Sequence, residues 1–131
     1  MANIYEVRKK IENFIELLAT SRVDRFYPSA LAKYLGTSSS EAFNFLLERA
    51  GVGDQLILKW ELRCPNCYRK LKIDDKKETM EEFECGFCGE EFDIRTSDFF
   101  PVFQINPEYK EYIKDEIKKK SHLSLRHLQM I

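Results

Sequence analysis

Four cysteines, spaced as two pairs, constrain this chain more than any other feature of its sequence. The pairs read Cys64-Pro-Asn-Cys67 and Cys85-Gly-Phe-Cys88, and 17 residues separate them. A Cys-x-x-Cys pair places two sulfurs at one end of a tight knuckle, and a hairpin can bring a second pair opposite the first. The spacing therefore predicts four thiolates at tetrahedral positions, as in a structural Zn²⁺ site. Because four protein ligands leave no open position for an activated water, we expect the metal to hold the fold rather than to take part in a reaction.

Two disulfides or a redox-active Cys-x-x-Cys would use the same cysteines differently. Disulfides need an oxidising compartment, and the first ten residues, MANIYEVRKK, contain no apolar signal segment, so we expect a cytoplasmic location. A redox motif of the thioredoxin type would place one Cys-x-x-Cys between a strand and a helix, whereas here both pairs precede strand-like sequence. Zinc binding is therefore the favoured interpretation.

Length and charge limit the range of functions. The 131 residues make one compact domain or two very small ones, and no apolar window approaches the length that crosses a bilayer, so we expect no membrane span. The net charge is −1, but residues 61–100 contain 11 acidic against 7 basic residues, a net of −4. Because acidic surfaces repel phosphate, the cysteine region is a poor candidate for coating nucleic acid.

Hydrophobic periodicity predicts three helices before the cysteines. Apolar residues recur every three or four positions over residues 3–20, which is typical of an amphipathic helix. A second helix is predicted for residues 28–35, with Pro28 in its first turn and Gly36 as its left-handed cap. A third covers about residues 39–50 and begins with a capping box formed by Ser38 and Glu41. Residues 21–26 between the first two helices are predicted to form a polar connector.

Alternating sequence predicts two longer strands. Residues 55–63 place one side chain in two on an apolar face, as in a half-buried strand. Residues 99–105 alternate in the same way, and Pro101 favours an edge position. We expect this second strand to pair back with residues 56–62, so that the two strands form a wing with the cysteine region inserted at its tip.

The cysteine region and the carboxyl-terminal part complete the predicted elements. Short strands at residues 68–73, 81–84 and 91–94, together with the two knuckles, make a zinc ribbon. A last helix begins at Asn106 and has three lysines, residues 118–120, in its final turn, where positive charge suits the helix dipole. The tail at residues 121–131 is too apolar for a solvated terminus, so we expect it to pack on the first helix or to meet a partner.

Together these elements predict an α+β chain. It consists of a winged helix-turn-helix at residues 1–63, a four-cysteine zinc ribbon at 64–98, and a returning strand with a C-terminal helix and tail at 99–131. This order, with its paired Cys-x-x-Cys motifs, resembles proteins that join a winged helix to a zinc ribbon, a group that includes the archaeal transcription factor E alpha subunit. Such proteins bind DNA, RNA polymerase or other proteins of a transcription complex, so the resemblance implies a regulatory or scaffolding role without catalysis. The chain departs from the usual ribbon at Tyr68, where Gly is common.

A third helix that entered a DNA major groove would use its solvent-facing residues to contact bases or phosphates. The predicted nucleic-acid-binding residues are Ser39, Ser40, Asn44 and Arg49 on this helix, with Lys33 and Lys59 as neighbouring cations. Non-specific affinity grows with the number of phosphates neutralised, so a helix that offers one Arg needs positive charge from elsewhere. The helix-turn-helix is equally well interpreted as a scaffold or a protein-docking surface.

Two functions therefore stay open. One is a non-enzymatic, DNA-associated transcription regulator, which binds double-stranded DNA and which the architecture favours. The other is a protein–protein adaptor or a small subunit of a multiprotein assembly, such as a bacterial defence or transcription complex, which the charge favours. The adaptor would dock through the acidic ribbon and the apolar tail. We expect no enzyme, because His122 and His127 lack a nucleophile or an acid–base partner at usable spacing.

Overall fold

The computed structural model describes residues 3–129, and the side chains of residues 3–119. Its helices are α1 (Ile4–Ala19), α2 (Pro28–Leu35), α3 (Ser39–Leu47) and α4 (Pro107–Gln129). Its strands are β1 (Arg25–Phe26), β2 (Leu56–Arg63), β3 (Lys70–Asp74), β4 (Met80–Glu84), β5 (Glu91–Ile94) and β6 (Phe99–Ile105). The strands form antiparallel sheets, one of four strands in the order β1-β6-β2-β3 and one of two strands, β4-β5. The predicted α+β class is confirmed.

Side-chain caps begin α1 and α3, and a glycine cap ends α2. The Asn3 side chain accepts a hydrogen bond from the backbone N–H of Tyr5 at 2.9 Å and begins α1. Ser38 accepts one from the backbone N–H of Glu41 at 3.1 Å and begins α3. Gly36 ends α2 in the left-handed region, with a φ of 73°. The predicted left-handed cap of the second helix is therefore confirmed, and so is the Ser38 half of the capping box predicted for the third.

Two helices end at positions that differ from the prediction. The third helix, predicted to reach about residue 50, ends at Leu47, because residues 48–50 tighten into a turn with shorter-range hydrogen bonds. The last helix continues to Gln129 instead of ending at residue 120, since residues 108–131 contain neither Gly nor Pro to stop it. The docking role predicted for the apolar tail depends on side chains that lie outside the described ones. Within residues 3–129, no helix combines the length and apolarity needed to cross a membrane.

A short strand replaces part of the predicted polar connector. Arg25 and Phe26 pair with Gln104 and Phe103 of β6. Phe26 is buried, and its ring stacks on that of Phe103 with 6.1 Å between the centroids. Two residues are too few for any periodicity to show in the sequence, so this strand is visible only once its partner is in place.

The pairing of β2 with β6 confirms the predicted return of the second long strand. β6 pairs with β2 along its whole length, from Ile105 opposite Leu56 to Phe99 opposite Leu62. The three short strands predicted for the ribbon are present, but they do not pair with one another as one sheet. β3 pairs with β2 in the four-stranded sheet, while β4 and β5 pair with each other. The reason is that the first cysteine pair forms a tight turn, which sends β3 straight back along β2 across the predicted limit between residues 63 and 64.

Among the side chains that the structure describes, the buried ones form two hydrophobic clusters of unequal size. The larger one joins α1, α2 and α3 to the sheet and consists of Ile11, Phe14, Ile15, Ala19, Phe26, Leu31, Ala32, Ala42, Leu46, Leu56, Phe103 and Ile105. The smaller one has three buried members, Leu62, Ile94 and Phe99. Phe83 of β4 and Phe92 of β5 pack against this smaller cluster. It therefore joins the two-stranded sheet to the end of the four-stranded one.

Candidate metal centre

Two knuckles with the same backbone pattern carry the cysteines. In the first knuckle, Cys64 donates its N–H to the carbonyl of Arg69, and Tyr68 donates its N–H to the carbonyl of Cys64. In the second, Cys85 donates to the carbonyl of Glu90 in the same way, and Gly89 donates to the carbonyl of Cys85. These bonds measure 3.0 and 2.8 Å in the first knuckle, residues 64–69, and 2.9 Å each in the second, residues 85–90. The first knuckle connects β2 to β3 and the second connects β4 to β5. Each pair of sulfurs is thus held on a short, hydrogen-bonded backbone frame.

The two knuckles bring four sulfurs together. Sγ of Cys64 lies 3.7 Å from Sγ of Cys88, and Sγ of Cys67 lies 3.7 Å from Sγ of Cys85. All four sulfurs lie within 4.8 Å of one another. Metal–sulfur bonds of about 2.3 Å in a tetrahedron put the sulfurs about 3.8 Å apart, so this geometry fits a bound ion. The four cysteines are free thiols, and the spacing is far from the roughly 2.05 Å of a disulfide bond.

Hydrogen bonds favour the thiolate form in the second knuckle. The backbone N–H of Glu90, followed by the side-chain amide of Asn66, lowers the pKa of the Cys88 thiol to about 6. The Asn66 amide donates to this sulfur at 3.6 Å. The backbone N–H groups of Cys88 and Phe87 likewise lower the pKa of Cys85, and the bond from Phe87 measures 3.4 Å. These two sulfurs are therefore prepared to act as anionic ligands.

Cys67 in the first knuckle is affected in the opposite direction. The backbone N–H of Arg69 is the largest single influence and lowers the pKa of this thiol, but burial and the three neighbouring sulfurs together raise it to about 11. A fourth thiolate beside three others is costly because like charges repel. A divalent cation among the four sulfurs would remove this repulsion, which is the reason such clusters hold metals.

The tips of the knuckles expose aromatic rings. The side chains of Tyr68 and Phe87 are 75% and 60% exposed, respectively, and the Arg69 guanidinium lies 5.1 Å from the centre of the Phe87 ring. Tyr68 has a φ of 61° and occupies the same position in its knuckle as Gly89, which has a φ of 78°. A left-handed backbone costs a residue with a side chain about 1–2 kcal/mol. The first knuckle thus carries an exposed ring at a position where Gly would be less strained.

The predicted nucleic-acid residues on α2 and α3 are mainly exposed. Ser39, Ser40 and Asn44 lie on the solvent face of α3, and Lys33 is exposed on α2. The structure leaves these four side chains accessible, as the prediction requires.

The other two predicted cations are engaged within the chain. Arg49 forms an ion pair with Glu12 of α1 and donates to the Gln55 side chain at 3.2 Å. Lys59 forms an ion pair with Asp75, just after the end of β3. Both pairs join residues that are distant in sequence, so the sequence pattern did not reveal them. The structure therefore does not bring the six predicted residues together as one basic surface.

Glu61, near the first knuckle, is a buried carboxylate that the alternation of β2 wrongly predicts to be exposed. Glu61 belongs to the predicted polar face of β2, yet only 1% of it is exposed. The Tyr27 hydroxyl donates to it at 2.7 Å and Nε of Arg63 at 2.6 Å, while Nζ of Lys70 lies 3.6 Å away. Burial is the largest influence and opposes ionisation, but the bonds from Tyr27 and Arg63 outweigh it, so the pKa of Glu61 is lowered. The Tyr that covers it lies 34 positions earlier in the chain, so no local signal reveals the contact.

Comparison with known proteins assigns no family to the chain. Protein-family models, curated proteins and solved structures were each compared with the chain, and none matches it. A function must therefore be based on the four-cysteine cluster, the exposed knuckle tips and the charges around α3.

Proposed function

We propose that the four cysteines bind one structural Zn²⁺ ion and that the chain is a non-enzymatic winged-helix and zinc-ribbon adaptor. In this proposal it docks onto a partner protein within a larger assembly. The observation that carries the proposal is the pair of exposed rings, Tyr68 and Phe87, at the tips of the metal centre. Aromatic side chains are enriched in protein interfaces, and exposed apolar surface marks interaction sites.

The donor set supports zinc as the metal. Four thiolates in tetrahedral spacing are typical of structural zinc, which takes all four ligands from the protein and leaves no site for a substrate. Elemental analysis of the purified chain tests this directly, with one zinc per chain as the expected result. Iron in place of zinc would contradict the assignment of the metal, and a chain purified under reducing conditions without any transition metal would contradict the site.

The order of elements supports the winged-helix part of the proposal. Three helices precede β2, and β2 pairs with β6 across the inserted cysteine region, as two wing strands would. The caps at Gly36 and Ser38 produce the tight turn between α2 and α3 that a helix-turn-helix needs.

The charges favour a protein partner over DNA. Arg49 and Lys59 already have acidic partners within the chain, and breaking these pairs would weaken any gain from phosphate contacts. The metal centre belongs to a segment, residues 61–100, with a net charge of −4. The left-handed backbone of Tyr68 also supports a protein partner. Backbone strain at an exposed aromatic residue is best explained by a contact that its ring makes with another protein.

A DNA-associated regulator is the second candidate, and one observation favours it. Ser39, Ser40, Asn44 and Lys33 are all exposed on α2 and α3, and such side chains can contact bases and phosphates in a major groove. This candidate predicts micromolar binding to random duplex DNA that weakens steeply as salt rises from about 50 to 200 mM. The adaptor predicts no such binding at either salt concentration. Fluorescence anisotropy of the zinc-loaded chain with labelled duplex separates the two.

A matched pair of double variants tests the adaptor itself. Tyr68→Ser with Phe87→Ser removes the two exposed rings of the knuckle tips, which are 75% and 60% exposed. Tyr5→Ser with Tyr112→Ser removes two rings of nearly equal exposure, 74% and 59%, from the helices. Each tagged variant is expressed in the cells that naturally produce the chain, and its complexes are separated by size.

We expect the knuckle variant to elute as the free chain with its metal content unchanged. The helix variant and the unmodified chain should elute with a stoichiometric partner. Retention of the partner by the knuckle variant, or its loss from the helix variant alone, would contradict docking through the metal centre.

A further inference from the structure

A groove of about 460 Å³ lies between the first turns of α2 and α3 and the paired strands β2 and β6. Its walls are mainly apolar and include Tyr27, Phe43, Phe100 and Pro101. Hydroxyl groups from Ser39 and Ser40 line the same groove. Cavities of this volume, apolar with a few polar groups, are typical of ligand sites in proteins.

Arg63 supplies the charge of the groove. Its guanidinium lies 4.5 Å from the centre of the Phe100 ring and 5.2 Å from that of Tyr27, and its Nε donates to Glu61 at 2.6 Å. This hydrogen bond uses only one of the five N–H donors that a guanidinium offers. The two rings and the carboxylate fix the orientation of Arg63, so its terminal amino groups are prepared for an acidic ligand.

The charges around Arg63 do not cancel. Glu61 carries one negative charge, whereas both Arg63 and Lys70 lie within 4 Å of it, at 2.6 and 3.6 Å. One positive charge is therefore in excess among these three groups. Arg63 is the one of the three that lines the groove, and beside an apolar wall its charge acts more strongly than in bulk water. A single carboxylate would balance this excess. A nucleic acid strand would bring several negative charges close to the acidic cysteine region, so the charges favour a peptide.

We propose that this groove binds an acidic peptide segment of a partner protein. A bulky apolar side chain of the segment packs against Phe43, Phe100 and Pro101, and the carboxylate of a neighbouring Asp or Glu binds Arg63. The hydroxyls of Ser39 and Ser40 donate to carbonyl groups of the peptide backbone. The inference rests on the proposed adaptor function and adds to it a second docking point, separate from the knuckle tips, together with the class of segment that it accepts.

Phage display of random peptides on the zinc-loaded full chain identifies a suitable probe. We expect the enriched sequences to pair an aromatic or large aliphatic residue with Asp or Glu. A fluorescein-labelled synthetic copy of an enriched peptide then serves as the probe in anisotropy titrations. Binding should weaken at least tenfold in Arg63→Gln, which removes the charge, and in Ser40→Glu, which adds a repelling one.

Two control variants match these changes outside the groove. Arg69→Gln removes another cation that stacks on an exposed ring, and Ser97→Glu adds a negative charge at another exposed Ser. Both should bind the probe as the unmodified chain does. Since Arg63→Gln also removes a partner of buried Glu61, Ser40→Glu provides the test that leaves this pair intact.

The following results would overturn the proposal. One is an enriched pool without peptides that are both acidic and apolar. Another is equal affinity of Ser40→Glu and the unmodified chain for the probe. A third is displacement of the probe by oligothymidylate. The last result would assign the groove to single-stranded nucleic acid. The knuckle variant with Tyr68→Ser and Phe87→Ser should keep probe binding. The two proposals are therefore tested by different measurements. Probe affinity tests the groove, and loss of the partner from the knuckle variant tests the adaptor function.

Discussion

The two knuckles of the metal centre have the same backbone hydrogen bonds but different support. The first connects β2 and β3, which belong to the four-stranded sheet packed on α1, α2 and α3 through the larger cluster. The second connects β4 and β5, which form a separate two-stranded sheet. This sheet meets the rest of the chain at a cluster with three buried members. The same local motif thus belongs to a helix-covered sheet in one case and to a two-stranded sheet with a small core in the other, where a bound metal would matter more.

This difference follows from how much apolar surface each hairpin can bury. An isolated two-stranded hairpin is marginally stable in water, and a region this small needs a metal or a disulfide as an additional link. The first hairpin gains its stability from a sheet whose inner face is covered by helices. The metal is therefore expected to matter unequally for the two knuckles, although each provides two of the four sulfurs.

The largest effect is expected on removal of the metal. Structural zinc contributes about 10–16 kcal/mol in zinc-finger peptides, more than the smaller cluster can replace. Chelation should therefore unfold β4 and β5 and leave the four-stranded sheet folded. Amide hydrogen exchange measures this, with protection lost in β4 and β5 and kept in β2 and β6. Protection that persists in β4 and β5, or is lost evenly throughout, would remove the distinction between the knuckles.

The second prediction concerns the junction between the two sheets. Phe99 is 6% exposed and belongs to the smaller cluster, so Phe99→Ala should lower the free energy of unfolding by about 3–5 kcal/mol. The next residue provides the control, because Phe100 is 41% exposed. Phe100→Ala should cost about 1 kcal/mol or less. Urea denaturation of the metal-loaded chain measures both, and equal losses would show that the junction does not depend on the smaller cluster.

The third prediction tests whether the first hairpin has stability of its own. The pKa of Glu61 is lowered below its ordinary value of 4.5 in the folded chain, so its ionised form stabilises the fold above that pH. This stabilisation is lost as the pH falls through the lowered pKa. Glu61→Gln should remove about 1.5–3 kcal/mol near neutral pH and flatten the acid side of the stability profile. Both profiles are measured by urea denaturation of the chelated chain, so that protons do not compete with metal at the sulfurs.

A steeper acid loss in Glu61→Gln than in the unmodified chain would contradict this account of Glu61. Lys59 forms its ion pair with Asp75 at the same sheet edge, so Asp75→Asn provides a control in which an exposed pair is removed. That variant should change stability by about 1 kcal/mol or less, because exposed ion pairs contribute little.

The smallest effect is expected from equivalent positions in the two knuckles. Tyr68→Gly should stabilise the metal-loaded chain by about 1 kcal/mol, because it relieves a left-handed backbone. Gly89→Ala should destabilise it by a similar amount, and by backbone strain alone, since an added Cβ there meets no atom within 4 Å. Thermal or urea denaturation detects both changes. Effects of the same sign at the two positions would show that the knuckles are not equivalent in backbone.

Local features of this protein were predictable because their causes lie within a few residues. The cap at Ser38 bonds to Glu41, and the left-handed turn at Gly36 requires no side chain. The spacing within each cysteine pair likewise defines a knuckle without help from the rest of the chain. The return of β6 to β2 was also predictable, because both strands alternate over seven or more residues.

Contacts between distant residues were not predictable in the same way. The ion pair of Arg49 with Glu12 and that of Lys59 with Asp75 changed the interpretation of the α3 surface. Neither pair leaves a pattern in the sequence, because charged residues of both signs are frequent along it. The burial of Glu61 under Tyr27 is likewise a contact between residues distant in sequence, and it leaves no pattern there.

The sequence alone determined that four cysteine sulfurs would come from two knuckles, and where the helices α1, α2 and α3 begin. Both depend on short-range hydrogen bonds and on backbone preferences that act within one turn. The tertiary structure alone decided that β3 would join the larger sheet, that Glu61 would be buried, and which cations would stay available. These outcomes depend on which surfaces meet when the chain closes on itself, and that is settled by packing across the whole fold rather than by any neighbouring residue.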